Sequence, residues 1–107
     1  MAGPKPPDDL MATMTDPRGR TVWLTERVWK HIVEQHQEVE THPDWLKKCV
    51  ETAEMRTRGN YEGAEKLWAQ NLGPSKWFCV VVRYEGRIGT IRTALAVKRG
   101  PRQGDQV

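Results

Sequence analysis

The sequence contains none of the short motifs that mark a nucleotide cofactor or a catalytic metal: no GxGxxG, no GxxxxGK[ST], no HExxH and no CxxC. No cofactor is therefore expected. Cysteine is scarce, with only Cys49 and Cys79, and both sit inside apolar runs (LKKCV and FCVVV). That context suits buried free thiols rather than a disulfide framework. No stretch approaches the ~18 apolar residues of a transmembrane helix, and the first residues lack the apolar segment of a secretory signal. No membrane association is expected, and the cytoplasm is the expected compartment. At 107 residues the chain has room for one domain, which excludes a multidomain enzyme, a Rossmann dehydrogenase or a kinase.

Large apolar side chains are also few. Hydrophobic residues make up 37% of the chain, charged residues 29%, and mean hydropathy is −0.73. Five Trp, two Tyr and one Phe nevertheless argue for a packed core. Residues 1–19 hold four of the seven Pro and, as large apolar residues, only Leu10 and three Met, so they read as a flexible leader. Residues 100–107 read as a flexible basic tail. One α+β domain is expected over 20–99, and its core residues must be few and essential.

The sequence from Thr21 to Leu24 is β-branched and aromatic, and predicts a short strand starting at Arg20. Thr25 follows as a helix N-cap, with Val28, Trp29, Ile32, Val33 and His36 at helical spacing to about Val39. Thr41 and Asp44 fit a capping box, and Trp45, Leu46, Cys49, Val50 and Ala53 mark a second helix over 42–54. Gly59-Asn60, Gly63 and Gly73-Pro74 punctuate the middle, with one or two short strands expected around 54–58 and 66–69, the second reading equally as a helical turn. Trp77–Tyr84 (WFCVVVRY) predicts a central strand, and Arg87–Val97 its hairpin partner through a Glu85-Gly86 turn. Strict alternation on that arm places Gly89, Ile91, Thr93, Leu95 and Val97 on one face. The expected fold is thus α+β: two N-terminal helices packed on a small antiparallel sheet with a C-terminal hairpin.

Charge is uneven along the chain. Glu26 to Glu65 carries nine acidic and six basic residues, whereas Lys76 onward has seven basic residues against Glu85 and Asp105. A basic C-terminal third reads either as the footprint of a polyanion partner or as a solvated strand surface with a basic tail. His31, His36 and His42 do not suggest a metal: His31 and His36 lie about 140° apart around a helix and cannot face one ion. His36 with Glu38, at a helix end, reads either as an acid–base pair or as a C-terminal cap. Arg92 beside Thr93, flanked by Ala94 and Ala96, reads either as an anion site or as a solvated strand face. Arg83, Arg87 and Lys98 on the same hairpin would widen that positive surface. Trp68 and Tyr61 suit base stacking or a satellite core.

Taken in order, Trp29-x-His31-Ile32, then His36-x-Glu38, then Val80-Val81-Val82, a Gly turn and Ile91-x-Thr93-Ala94 form a pattern. It resembles the phage- and toxin-associated members of the barnase–EndoU–colicin–RelE superfamily of small metal-independent endoribonucleases. The chain has His36-Gln37-Glu38 where that pattern has His-Pro-Glu, and Leu95 where it has an aromatic residue. The resemblance implies acid–base roles for His36 and Glu38 with His31 as helper. Arg92, Thr93, Arg83 and Lys98 would then hold the phosphate, and Thr93 would belong to the catalytic set. RNA would be the substrate, and an antitoxin or immunity protein the cellular partner. Two alternatives remain on the same fold: a partner-binding module of inhibitor or antitoxin type, and an RNA-binding domain that does not cleave.

Overall fold

The structure is a computed structural model that describes residues 5–36, 44–72 and 76–101. Its elements are strands β1 (Leu10–Thr15) and β2 (Thr21–Thr25), helices α1 (Glu26–Gln35) and α2 (Asp44–Glu51), and strands β3 (Met55–Arg58), β4 (Ala64–Gln70), β5 (Trp77–Glu85) and β6 (Ile88–Val97). The strands form one six-stranded sheet in the order β1-β2-β6-β5-β4-β3.

The expected fold of two N-terminal helices on a small antiparallel sheet is therefore incorrect. The helices lie between β2 and β3, and the sheet is mixed because β2 pairs parallel to β6, with Trp23 opposite Thr90. Residues 10–15, inside the expected leader, form β1 and pair antiparallel with β2. Composition hid this strand, because its neighbours are Pro and Asp and it buries only Met14 fully. The parallel pairing was hidden for a different reason. It joins segments separated by two helices and three strands, and no local pattern encodes it.

Other expectations hold with shifted limits. Thr25 caps α1, its hydroxyl accepting the Val28 N–H at 3.3 Å. Asp9 adds to that cap: its carbonyl accepts the Glu26 N–H and its carboxylate the Arg27 N–H. Both segments of the middle region are strands, β3 and β4. The β5–β6 hairpin forms, but Glu85 pairs with Ile88, which moves the two-residue turn to Gly86-Arg87. Gly86 takes φ +62°, a conformation that a side chain disfavours. The expected Thr41 cap and residues 37–43 lie outside the described residues.

One face of the sheet carries the core. Val22 and Leu24 of β2, Phe78, Val80 and Val82 of β5, and Ile91 of β6 meet Ile32 of α1 and Leu46, Cys49 and Val50 of α2. The Cys49 thiol donates to the Leu67 carbonyl at 3.4 Å. Cys49 and Cys79 are both free and buried, Cys79 alternating onto the other face of β5.

A β-bulge breaks the alternation expected for β6. Val82 pairs with Ile91 and Val81 with Thr93, leaving Arg92 without an opposite residue. Ile91 and Ala94 consequently both reach the core, and Thr93 turns to the opposite face. The face without helices is open, and the bulge decides what it displays.

The turn of the first hairpin leans over the core face. Asp16-Pro17-Arg18-Gly19 is a tight turn, with Gly19 at φ +79° donating its N–H to the Asp16 carbonyl. The Asp16 carboxylate is buried and accepts four hydrogen bonds: the N–H groups of Arg18 and Arg20, the Arg20 Nε at 2.8 Å and the Tyr84 hydroxyl at 2.9 Å. The Arg20 guanidinium lies 3.6 Å over the Tyr84 ring and grips both oxygens of Glu65 on β4, which Arg56 of β3 also meets. Burial opposes the charged form of Asp16, but the Arg20 N–H, the Tyr84 hydroxyl and the Arg20 guanidinium outweigh it and hold the carboxyl below its ordinary range. The bidentate bond from Arg20 likewise lowers Glu65. Burial, and the bond to Asp16, push the Tyr84 phenol far above its ordinary value.

Candidate functional site

The open face acquires its relief from register. Trp23, Thr90 and Arg83 stand in one row across β2, β6 and β5, because Trp23 is opposite Thr90 and Thr90 opposite Arg83. Thr90 is short and its two neighbours are long, so the row leaves a depression of about 160 Å³ above Thr90. Ile88 and Glu85 close one end of it and Arg92 the other.

Beyond Trp23–Thr90 the parallel pairing stops. At this fork β2 turns into α1 while β6 runs on through its bulge. A second, larger cleft of about 490 Å³ opens there, lined by Asp9, Thr25, Arg27, His31, Thr90 and Arg92, among others. Ligand clefts at the carboxyl ends of parallel strands, where neighbouring chains part, are a general outcome of sheet topology. Arg92 and Thr90 line both depressions, so Arg92 stands between them. Alternation from Thr90 and the core residue Ile91 puts Arg92 on the open face, and the bulge leaves it without an opposite residue on β5.

His31, Arg92 and Arg83 are thus brought to one region, His31 from the exposed side of α1. Three other expected site residues are not. His36 is the C-cap of α1, its N–H donating to the Ile32 carbonyl at 2.7 Å, and it lines neither depression. Thr93 shares the open face but also lines neither. Lys98 follows β6, six residues or about 20 Å of strand beyond Arg92. Glu38 lies outside the described residues. Trp68 is a core residue of the open face, its indole N–H donating to Thr57 and its ring meeting Trp77 edge-on. Tyr61 is exposed, far along the β3–β4 loop.

Asp9, Trp23 and Thr90 were not expected at a site. Asp9 was lost with the supposed leader, and Trp23 and Thr90 become neighbours only through the parallel pairing. The alternation of Trp23 with the core residues Val22 and Leu24 was the one available signal.

The site carries an imidazole, three guanidiniums, two carboxylates and two threonine hydroxyls around contiguous open space. Asp9 is partly engaged by the Arg27 N–H at 3.2 Å, and Arg83 meets Glu85 at 3.5 Å, both at the surface. Such a set can hold an anion and exchange a proton beside it. Among the described residues no three His, Cys, Asp or Glu side chains cluster as metal ligands would, and no helix is long and apolar enough to cross a membrane. No protein-family model, curated protein or solved structure matches the chain.

Proposed function

We propose that the protein binds RNA on its open sheet face and cleaves it as a metal-independent endoribonuclease. The observation that carries this reading is the fork between β2 and β6, where Arg92, His31 and Asp9 line one cleft. Arg92 would hold the scissile phosphate and offset charge that builds on it in the transition state. His31 would remove the 2′-OH proton. The 2′-oxygen then bonds to phosphorus as the bond to the leaving 5′-oxygen breaks, and that oxygen takes the proton back from the His31 imidazolium. The product is a 2′,3′-cyclic phosphate and a free 5′-OH. Asp9 would orient the imidazole. His31 takes the place in this scheme that the sequence pattern suggested for His36, because His36 does not reach the cleft.

An enzyme acting this way in the cytoplasm requires an inhibitor protein in the cell that makes it, and an acidic surface would suit Arg83, Arg87 and Arg92. A second reading, RNA binding without cleavage, is favoured by one feature: the cleft carboxylate, Asp9, already caps α1.

One experiment separates them. Purified protein is incubated with a pool of single-stranded RNA, with and without chelator, and 2′,3′-cyclic phosphate ends are measured. The expected result is cleavage indifferent to chelator and lowered about 10²–10⁴-fold in His31→Ala, with an unchanged melting temperature. Binding that depends on Arg92 without cleavage would establish the binding module. Absence of both would refute the proposal.

A further inference from the structure

The smaller depression has a shape that phosphate binding does not need. Trp23 and Arg83 flank it, Thr90 lies between them in the same cross-strand row, and Ile88 makes one end apolar. Two side chains that end in planar groups, set on either side of a short residue, leave a gap, or slot, that suits a flat ring. Unpaired bases are held in this way between an aromatic ring and a guanidinium plane. Glu85 at the rim offers acceptors, and Arg83 and Thr90 offer donors, to the polar edge that a base carries. Arg92 is shared with the neighbouring cleft, so a phosphate on Arg92 has the slot on one side and the His31 cleft on the other.

We infer that the slot between Trp23 and Arg83 takes the base of a nucleotide adjoining the phosphate held by Arg92. The unit recognised is then a single-stranded dinucleoside phosphate rather than an isolated phosphodiester. This rests on the RNA reading above. It adds a binding subsite that cleavage chemistry alone does not call for, and it excludes duplex RNA, whose bases are stacked and paired.

The test uses two probes of equal charge: a 2′-O-methyl dinucleoside phosphate, which has no 2′-OH to react, and its abasic analogue lacking the base at one sugar. Binding is followed in nitrogen-15-labelled protein through the Thr90 amide and the Trp23 indole N–H, the latter assigned with Trp23→Phe. Whichever sugar adjoins the slot, one of the two abasic isomers should bind about tenfold more weakly than the full dinucleoside phosphate. The full probe should shift both signals, and that abasic isomer only Thr90. Arg83→Lys keeps the charge but loses the planar group, and should weaken the full probe about tenfold while leaving the abasic isomer unchanged. If all probes bind equally and the Trp23 signal stays in place while Thr90 moves, the base slot is refuted and phosphate binding stands. If no probe moves Thr90, the RNA reading and this inference fall together.

Discussion

Replacing Arg20 with Met tests whether the ionic cluster holds the first hairpin to the rest of the sheet. The Arg20 side chain is 12% exposed, Asp16 1% and Glu65 19%, so the three charges are largely removed from solvent. Arg20 makes three short charge-assisted bonds, to Asp16 at 2.8 Å and to Glu65 at 2.9 and 3.0 Å. Removing one partner of a buried ion pair costs about 3–5 kcal/mol, mostly because the remaining charge is left uncompensated. Here Asp16 keeps two backbone donors and the Tyr84 hydroxyl, and Glu65 keeps Arg56, which places the loss near the lower end, about 3 kcal/mol. For a domain of this size that lowers Tm by roughly 12–24 °C.

The pH dependence is a sharper criterion than the size of the loss. Both carboxyls are held below their ordinary values, so their contribution is fully present above pH of about 4 and disappears as pH falls through the folded-state values. In Arg20→Met both carboxyls lose that partner and move back toward their ordinary values, so acidification costs the variant less than wild type. Urea unfolding at pH 7 and again at successively lower pH should therefore show the gap between wild type and variant closing below pH of about 4. A loss under about 1 kcal/mol at pH 7, or a gap independent of pH, would refute the assignment of the cluster as the hairpin's anchor.

Tyr84→Phe removes one donor from the same carboxylate and should cost about 1.5–3 kcal/mol in the same unfolding assay, with no change in RNA binding. Gly89→Ala would set a Cβ 2.5 Å from Val82 Cγ1 and 2.7 Å from Tyr84 Cε1, and a loss of about 1–3 kcal/mol is expected by thermal melting. Burial pushes the Cys79 thiol up to about 12 and Cys49 higher still, so neither should react with a thiol reagent at pH 8 until denaturant is added. Arg92→Ala should weaken RNA binding and flatten its salt dependence by about 0.7 of a unit of slope, whereas Lys98→Ala should leave both nearly unchanged. Equal effects at the two positions would show a diffuse positive surface without a dedicated phosphate site.

The parts of the fold that the sequence disclosed are those with a local cause. Thr25 announces α1 through a hydroxyl that caps it, the Val-rich run of β5 marks a strand buried on both sides, and Gly86 marks the turn by its positive φ. What stayed hidden depends on distant pairing. β1 lacks a strand composition and is held by Asp16 reaching Tyr84, 68 residues away. The bulge at Arg92 reverses the faces of the rest of β6, and no residue in RIGTIRTALAV declares it. Of the site, Arg92, Arg83 and His31 were legible as charged or titratable side chains on the right elements. His36 takes the place of a C-terminal cap, one of the two readings its sequence position offered, with its N–H on the Ile32 carbonyl.

β1 ties the cluster on one face to the cleft on the other. It runs between two aspartates with opposite tasks. Asp16, at its end, is buried and saturated with donors, and fixes the hairpin to β4 and β5 through Arg20 and Tyr84. Asp9, just before its start, is at the surface, caps α1 and forms part of the wall of the His31 cleft. The two ends are not held alike: Ala12–Thr15 pair regularly with β2, whereas the register shifts between Leu10 and Ala12, next to Asp9. Each aspartate uses its carboxylate according to its surroundings: Asp16, out of water, is committed to the cluster, and Asp9, half-buried beside the cleft, accepts among the described residues only the Arg27 N–H at 3.2 Å and lies 3.9 Å from the Arg27 guanidinium.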